Sequence, residues 1–189
     1  MRDCILYEDK DILVCHKPAG IAVQSGRVGS MDLESLLKNY IAQKKPGKMP
    51  YLAVIHRLDQ PVEGVLVFAL NPKAAAALNR QMTTGEISKT YLAVTDVKRE
   101  SVLQKESADT KEEEEAHMIC LTYWLCKDNK TNSSSEVPAG TAGGKKAVLY
   151  YKILESREVQ GQKRYMVQVR LETGRHHQIR VQLSHAGMP

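Results

Sequence analysis

Short apolar or alternating runs, bounded by turn residues or charges, recur along the chain and predict β-strands. Runs of this kind lie at 12–15, 21–23, 51–55, 65–70, 87–95, 147–154 and 165–171. The last is the clearest, because Tyr165, Val167, Val169 and Leu171 alternate with polar or flexible side chains. A strand with this period buries one face and leaves the other in water.

Three other stretches have helical spacing. Apolar residues from Leu33 to Ile41 fall at i, i+3, i+4, i+7 and i+8, and Ser30 is a predicted cap. Asn71-Pro72 provides a cap and an N1 proline for an alanine-rich helix through Met82, closed by Gly85. Thr173 is predicted to cap a third helix that opens with Gly174.

The remaining segments have weaker patterns. Residues 118–126 alternate like a strand but also place apolar residues four apart, so strand and short helix both remain open. Residues 99–117 and 127–146 are polar and lack a period, which predicts exposed, mobile insertions. The length of 189 residues and the 42% of hydrophobic residues favour one domain with a real core.

Charge is distributed unevenly. The net charge is +5, and the stretch 98–115 holds four basic and seven acidic residues, a charge of −3, so the rest carries +8. A basic body of this kind fits a polyanionic partner. The four cysteines form no CxxC pair and no zinc-type spacing with the six histidines, which favours free thiols in a reducing compartment. With no signal sequence or membrane-length apolar run, we expect a soluble, cytoplasmic protein.

The bend between the runs 51–55 and 65–70 concentrates possible chemistry. His56, Arg57 and Asp59 place an imidazole, a guanidinium and a carboxylate within four positions. Loops held between rigid elements often carry function, although a solvated turn is the commoner role for such charges. Tyr91 is a candidate for the same pocket as Asp59, and the alternative for a strand tyrosine is a core or interface aromatic.

The start of the third predicted helix is a second candidate. Arg175 and the imidazoles of His176 and His177 stand where free backbone N–H groups and the helix dipole favour an anion, and phosphate is the obvious ligand. A polar helix face on a basic protein is the alternative.

Four stretches resemble, in the same order, the sequence motifs of the RluA-type pseudouridine synthases. They are 17–20 (KPAG), 56–59 (HRLD) with Gly64 and the strand after it, 89–94 (KTYLAV) and 171–181 (LETGRHHQIRV). The resemblance implies an α+β catalytic domain over residues 1–189, built on a long, mixed, mostly antiparallel sheet that is flanked by helices and crossed by a cleft. It implies isomerisation of uridine to pseudouridine in rRNA or tRNA, with no cofactor and no metal.

The resemblance also implies roles for individual residues. Asp59 would be the nucleophile, Tyr91 would lie against the base and assist proton removal, and Arg180 would pair with the catalytic carboxylate. Leu171 would pack on the base, and Arg57 would fill the space left by the flipped nucleotide. The other expected RNA contacts are His56, Lys17, Lys89, Arg175, His176 and Gln178.

The chain departs from the family pattern in three places, one of which is His177 or its neighbour, where family members usually have Thr. After Asp59 the usual Thr-Ser-Gly is replaced by Gln60-Pro61-Val62-Glu63-Gly64, which removes two hydroxyls. The chain stops at Met188-Pro189, where family members continue, so we expect a truncated C-terminus. We expect a monomer. The alternatives are a catalytically silent RNA-binding module and an N-glycoside hydrolase that pairs Asp59 with Glu63 or Glu172.

Overall fold

A computed structural model of the chain describes residues 2–26, 31–44, 46–96 and 118–189. The chain divides into two compact units, Met1–Ile87 and Ser88–Pro189. Each unit has its own antiparallel sheet, and the described residues contain three α-helices. The predicted α+β class is confirmed. The single long sheet implied by the resemblance is instead two sheets, and the single domain over residues 1–189 stays a prediction, since one domain can hold two compact units.

The part of the first unit that the structure describes is a four-stranded sheet with two α-helices. A short 3-10 helix at Arg2–Cys4 leads into strand β1. The sheet has the order β1-β2-β4-β3, and every neighbouring pair is antiparallel. The elements are β1 (Ile5–Glu8), β2 (Ile12–Lys17), α1 (Leu33–Lys44), β3 (Ala53–Val54), β4 (Gly64–Ala69) and α2 (Pro72–Thr84).

The core of the first unit forms where the predicted apolar faces meet. On β2 and β4 the buried residues are two apart, and on α1 they are four apart, as the strand and helix periods require. The following residues are fully or almost fully buried: Leu13 and Cys15 of β2, Leu66 and Phe68 of β4, and Leu33 and Leu37 of α1.

Helix α2 begins and ends where its capping residues predict. Asn71 Oδ1 accepts a hydrogen bond from the Ala74 backbone N–H at 2.9 Å, and Pro72 occupies the first helical turn. Gly85 closes the helix at φ 78°, in the left-handed region that glycine adopts without strain. The helix runs to Thr84, two residues beyond the predicted end.

Two predicted strands of the first unit are wrong or shortened. Residues 21–23 form no strand, because the carbonyls of Ala22 and Val23 accept hydrogen bonds from the first backbone N–H groups of α1. Of the run 51–55, only Ala53–Val54 is strand. The predicted cap Ser30 lies outside the described residues. The carboxylate of Asp32 accepts from the Ser35 backbone N–H at 2.8 Å, in the manner of an N-cap.

In its described residues, the second unit is a five-stranded antiparallel sheet with one helix. The strand order is β5-β9-β8-β6-β7. Helix α3 packs on one face of this sheet, over a core that includes Leu149, Val167, Val169 and Leu183. The elements are β5 (Lys89–Thr95), β6 (Ile119–Asp128), β7 (Ser133–Glu136), β8 (Lys145–Val159), β9 (Gln162–Leu171) and α3 (Gln178–His185).

Strand β9 confirms the alternation read from the sequence. Tyr165, Val167 and Val169 are buried, while Arg164 is exposed. The turn from β8 to β9 passes through Gly161 at φ 73°. Of the two alternatives for residues 118–126, strand and short helix, the structure has the strand, β6. Within the described ranges, no helix has the length and apolar character needed to cross a membrane.

In the second unit, the structure differs from the sequence-based predictions for the segment 127–146 and for the cap of α3. The segment 127–146 is largely exposed, as predicted, but it contains strand β7, which pairs with residues 125–128 of β6. The segment 99–117 lies outside the described residues. Thr173 does not cap α3, which begins only at Gln178 and is preceded by His177 at φ 52° without a side-chain cap. The hydroxyl of Thr173 instead accepts from the Val148 backbone N–H at 2.9 Å.

Candidate active site

The loop between β3 and β4 carries the His56–Asp59 cluster. Asp59 is half-buried, and its carbonyl accepts from the Val62 backbone N–H at 3.0 Å, which closes a tight turn directly after the carboxylate. Arg57 is exposed. His56 Nε2 accepts from the Val67 backbone N–H at 3.3 Å, so this imidazole is held against β4. The bond to β4 thus holds the loop, while the Arg57 side chain lies in solvent.

Lys17, the last residue of β2, holds this loop from inside. Its side chain is 0% exposed. Its Nζ donates to the carbonyls of Pro18 at 2.9 Å, Ile21 at 2.8 Å and Gln60 at 3.1 Å. An ammonium has three donors, so all of them are used. This internal bonding replaces the predicted RNA contact of Lys17 with a structural role.

Backbone contacts complete the connection between the two loops. The Gly20 N–H donates to the Gln60 carbonyl at 2.8 Å, and Gln60 Nε2 donates to the Gly20 carbonyl at 3.0 Å. The 17–20 motif and the turn after Asp59 are therefore joined by hydrogen bonds in both directions. This arrangement restricts the backbone that carries the carboxylate.

The charge of Lys17 acts on the same loop. Burial lowers the pKa of Lys17 below its ordinary value of 10.5, and the carboxylates of Asp59 and then Glu63 oppose that shift. Asp59 therefore lies in the field of a fixed, buried cation of its own unit. The opposite charges of Lys17 and Asp59 attract each other, which adds to the hydrogen bonds that hold this loop.

In the second unit, Tyr91 and Arg180 lie on elements that pack together. Tyr91 stands opposite Val169 on the β5–β9 pair, is half-buried, and packs on the core beneath α3. Arg180 is exposed on the first turn of α3 and lines a groove of about 890 Å³ that follows this helix. The groove also includes Ala93 of β5 and His177. Both predicted residues thus belong to one side of the second unit.

Gln178 organises the loop that precedes α3. The side chain is 3% exposed. Its Oε1 accepts from the Thr173 hydroxyl at 2.9 Å and from the Arg175 backbone N–H at 2.8 Å, and its Nε2 donates to the Val148 carbonyl at 3.0 Å. Gln178 therefore supports the loop from within, and this structural role replaces its predicted RNA contact.

The loop presents Arg175 beside Lys89. Arg175 is exposed, and its Nε donates to the Lys146 carbonyl at 2.9 Å. Lys89 is half-buried at the start of β5, and its pKa is lowered, first by burial and then by the charge of Arg175. The predicted anion site is thus centred on two neighbouring cations. The free helix N-terminus expected from the sequence is not its basis, because α3 begins three residues after Arg175.

Strand β7 contributes residues that the sequence did not single out. The Ser134 hydroxyl and His176 Nδ1 are hydrogen-bonded at 2.9 Å, and the His176 ring stacks on His177 with centroids 3.8 Å apart. Glu136 pairs with His185 at 2.8 Å. A serine-rich run without apolar alternation resembles a linker, so no signal in the sequence indicated that this strand anchors both ends of the α3 region.

Comparison with known proteins decides the family. The sequence profile described as RNA pseudouridylate synthase matches residues 11–185. The chain belongs to the RNA pseudouridylate synthase family. It is similar to an uncharacterized RNA pseudouridine synthase of Zymomonas mobilis, with 32% identity over 94% of this chain and 70% of that protein. It is also similar to the ribosomal large subunit pseudouridine synthase D of Xylella fastidiosa, with 32% identity over 98% of this chain and 49% of that protein.

The fold of this pseudouridylate synthase family member also has a solved counterpart. The human RNA pseudouridylate synthase domain containing 4 superposes with a TM-score of 0.73 at 22% identity, over 100% of this chain and 66% of that one. The predicted RluA-type membership is confirmed by the relatives that are named pseudouridine synthase C or D of the large ribosomal subunit. The chain spans 70% of the first relative above and about half of the second.

Apart from the RNA contacts of Lys17 and Gln178, the individual assignments made from the family motifs stay predictions. Asp59 lies in the first unit, and Tyr91 and Arg180 lie in the second. Leu171 is half-buried at the end of β9, opposite Lys89 and Leu149, where it packs on the core of the second unit.

Proposed function

We propose that this chain isomerises uridine in RNA to pseudouridine. Its family membership and the four ordered motifs support the reaction, and its basic body fits an RNA substrate. Relatives named ribosomal large subunit pseudouridine synthase C and D favour a uridine of ribosomal RNA over one of transfer RNA. The predicted cytoplasmic location and monomeric state belong to the same proposal, and light scattering of the purified protein tests the latter.

The single observation that carries the mechanism is the fixed position of Asp59 in its own unit. Its loop is hydrogen-bonded to buried Lys17, whose charge attracts that of Asp59. Asp59 acts as the nucleophile, at the sugar carbon or at the base ring. The N1–C1′ bond breaks, the uracil rotates, and a C5–C1′ bond forms. The bond to Asp59 is broken again, the C5 proton leaves, and N1 regains a proton.

Other residues assist these steps in the proposal. Tyr91 helps to remove the C5 proton, and Arg180 is the guanidinium that the family motifs assign to the catalytic step. Extruding a base costs a few kcal/mol of stacking. Arg57, which is exposed on its loop, offsets part of this cost by entering the space that the nucleotide leaves.

Release of tritium from RNA labelled at C5 of uridine tests the proposal. Pseudouridine formation replaces the C5–H bond with a C–C bond, so isomerisation releases tritium and leaves the RNA chain intact. Binding of a large-subunit rRNA fragment without tritium release would identify a silent RNA-binding module. Free uracil and an abasic site would identify an N-glycoside hydrolase instead.

A further inference from the structure

Lys89 and Arg175 form a pair of neighbouring cations at one end of the second sheet. Lys89 Nζ lies 3.7 Å from the point where a Cβ on Gly174 would stand. Because residue 174 is glycine, no side chain from that position covers the ammonium. The next residue is Arg175, whose charge acts directly on Lys89.

Both cations are held in place by the protein. Arg175 is fixed twice, by its Nε bond to the Lys146 carbonyl at 2.9 Å and by its backbone N–H bond to Gln178 at 2.8 Å. Lys89 is half-buried in β5, opposite Leu171. A ligand that binds here loses little affinity to ordering these side chains, since they are already positioned.

The two charges lack a protein counterion in the part of the chain that the structure describes. The ion pairs of this region involve other residues, and neither Lys89 nor Arg175 is paired with a carboxylate there. Two adjacent, uncompensated cations repel each other and attract an anion. A phosphate suits them best, since its oxygens can accept from an ammonium and a guanidinium at once.

We propose that Lys89 and Arg175 together bind a single phosphodiester of the RNA backbone. This inference rests on the proposed function, since it takes RNA as the substrate. It adds a fixed contact for the RNA: one backbone phosphate is bound where the start of β5 meets the loop before α3. Phosphate contacts of this kind set the position of a nucleic acid without reading its sequence.

The test measures the affinity for a uridine-containing stem-loop RNA at several salt concentrations. The wild type is compared with Lys89→Gln, Arg175→Gln and the double variant. Each contacted phosphate contributes about −0.7 to −0.9 to the slope of log K against log salt. Both single variants bind RNA ~10-fold more weakly. The double variant loses the slope of one phosphate, about 0.7 to 0.9, because the two cations share it. Lys163→Gln, eight residues before Leu171 on β9 and thus about 26 Å away, is the matched control and leaves the slope unchanged.

The remaining outcomes separate the possible failures. If the double variant lost the slope that corresponds to two phosphates, or if its slope did not change, the proposal of one shared phosphate would be wrong. Arg175→Lys keeps the charge but not the Nε bond, so retention of the slope in this variant distinguishes a phosphate contact from a purely structural role. If inorganic phosphate, but not RNA, protects Lys89 from acetylation, the site serves a free ion and the proposal is wrong. Since these readouts require no turnover, absent tritium release would count against the proposed function only.

Discussion

The buried ammonium of Lys17 donates a hydrogen bond to the backbone carbonyl of Gln60, 3.1 Å away. Gln60 directly follows Asp59, so the end of β2 is connected to the loop that carries the proposed nucleophile. A lysine that looked like an RNA ligand in the sequence is therefore an internal support. The consequences can be measured in stability and in turnover.

Lys17→Met should destabilise the protein and slow turnover. Methionine fills a similar volume but leaves the carbonyls of Pro18 and Ile21 without their donor, at about 1–3 kcal/mol for each buried group left unsatisfied, while the Gln60 carbonyl keeps its bond from the Gly20 N–H. We expect the free energy of unfolding in urea to fall by ~3 kcal/mol. Lys10→Met, on an exposed turn, should change it by less than ~0.5 kcal/mol. An unchanged stability in Lys17→Met would show that these bonds contribute no net stabilisation.

Gln178→Met should destabilise the second unit by a similar mechanism. The substitution leaves the Arg175 N–H without its acceptor and removes one of several hydrogen bonds from the Thr173 hydroxyl and from the Val148 carbonyl. We expect a loss of about 2–4 kcal/mol in urea unfolding and faster hydrogen exchange of the Arg175 amide. The exposed Gln162 at the start of β9 provides the control, because Gln162→Met breaks no such bond. Slow exchange at Arg175 in the Gln178 variant would contradict the support role.

Ser134→Ala should loosen the loop before α3 without unfolding the protein. The substitution removes one hydrogen bond, to His176 Nδ1, so the expected destabilisation is about 1 kcal/mol. Hydrogen exchange of the amides at 175 and 176 should increase, and RNA affinity should fall ~2- to 5-fold because Arg175 is less well positioned. Ser135→Ala, one residue further along β7, should leave both quantities as in the wild type.

Local signals explain what the sequence predicted correctly. Asn71, Pro72 and Gly85 fix the ends of α2 through contacts within a few residues, and β9 is identified by its own alternation. The strand predicted at 21–23 is wrong because an apolar triplet has no feature that distinguishes a strand from a loop packed on a helix. Their hydrogen bonds go to the start of α1, some ten residues away.

The sequence motifs named the residues of the candidate site, but they did not show which of these side chains are buried and support the fold. Lys17 and Gln178 were recognised as parts of motifs, but a polar side chain in a motif does not reveal whether it faces a ligand or the interior. Their burial depends on carbonyls that come from distant positions, such as Gln60 and Val148. Ser134 gave no signal at all, since its partner His176 is 42 residues further along the chain.

Lys89→Gln should weaken RNA binding without costing stability. The pKa of Lys89 in the folded protein is lowered from 10.5, first by burial and then by Arg175, so between the two pKa values the unfolded chain binds more protons. Wild-type stability therefore rises with pH across that window, and below it the cost of burying the charge is fully present.

At neutral pH we accordingly expect the free energy of unfolding of Lys89→Gln to equal or exceed that of the wild type. The difference should shrink as the pH approaches 10.5, the ordinary lysine value. Urea unfolding at a series of pH values measures it, with Lys163→Gln as the reference for loss of an exposed lysine. A variant that is less stable than wild type at neutral pH would show that Lys89 supports the fold.

Asp59→Asn should abolish tritium release while RNA binding remains. An amide of the same shape keeps the loop and its bonds through Gln60, but it is a far weaker nucleophile, so turnover should drop by at least about 1,000-fold. Glu63→Gln is the matched control, because Glu63 also acts on the charge of Lys17 but lies on the exposed side of the loop. This variant should keep most of the activity. If Glu63→Gln were as inactive as Asp59→Asn, two carboxylates would be required, and the hydrolytic alternative would gain support over isomerisation.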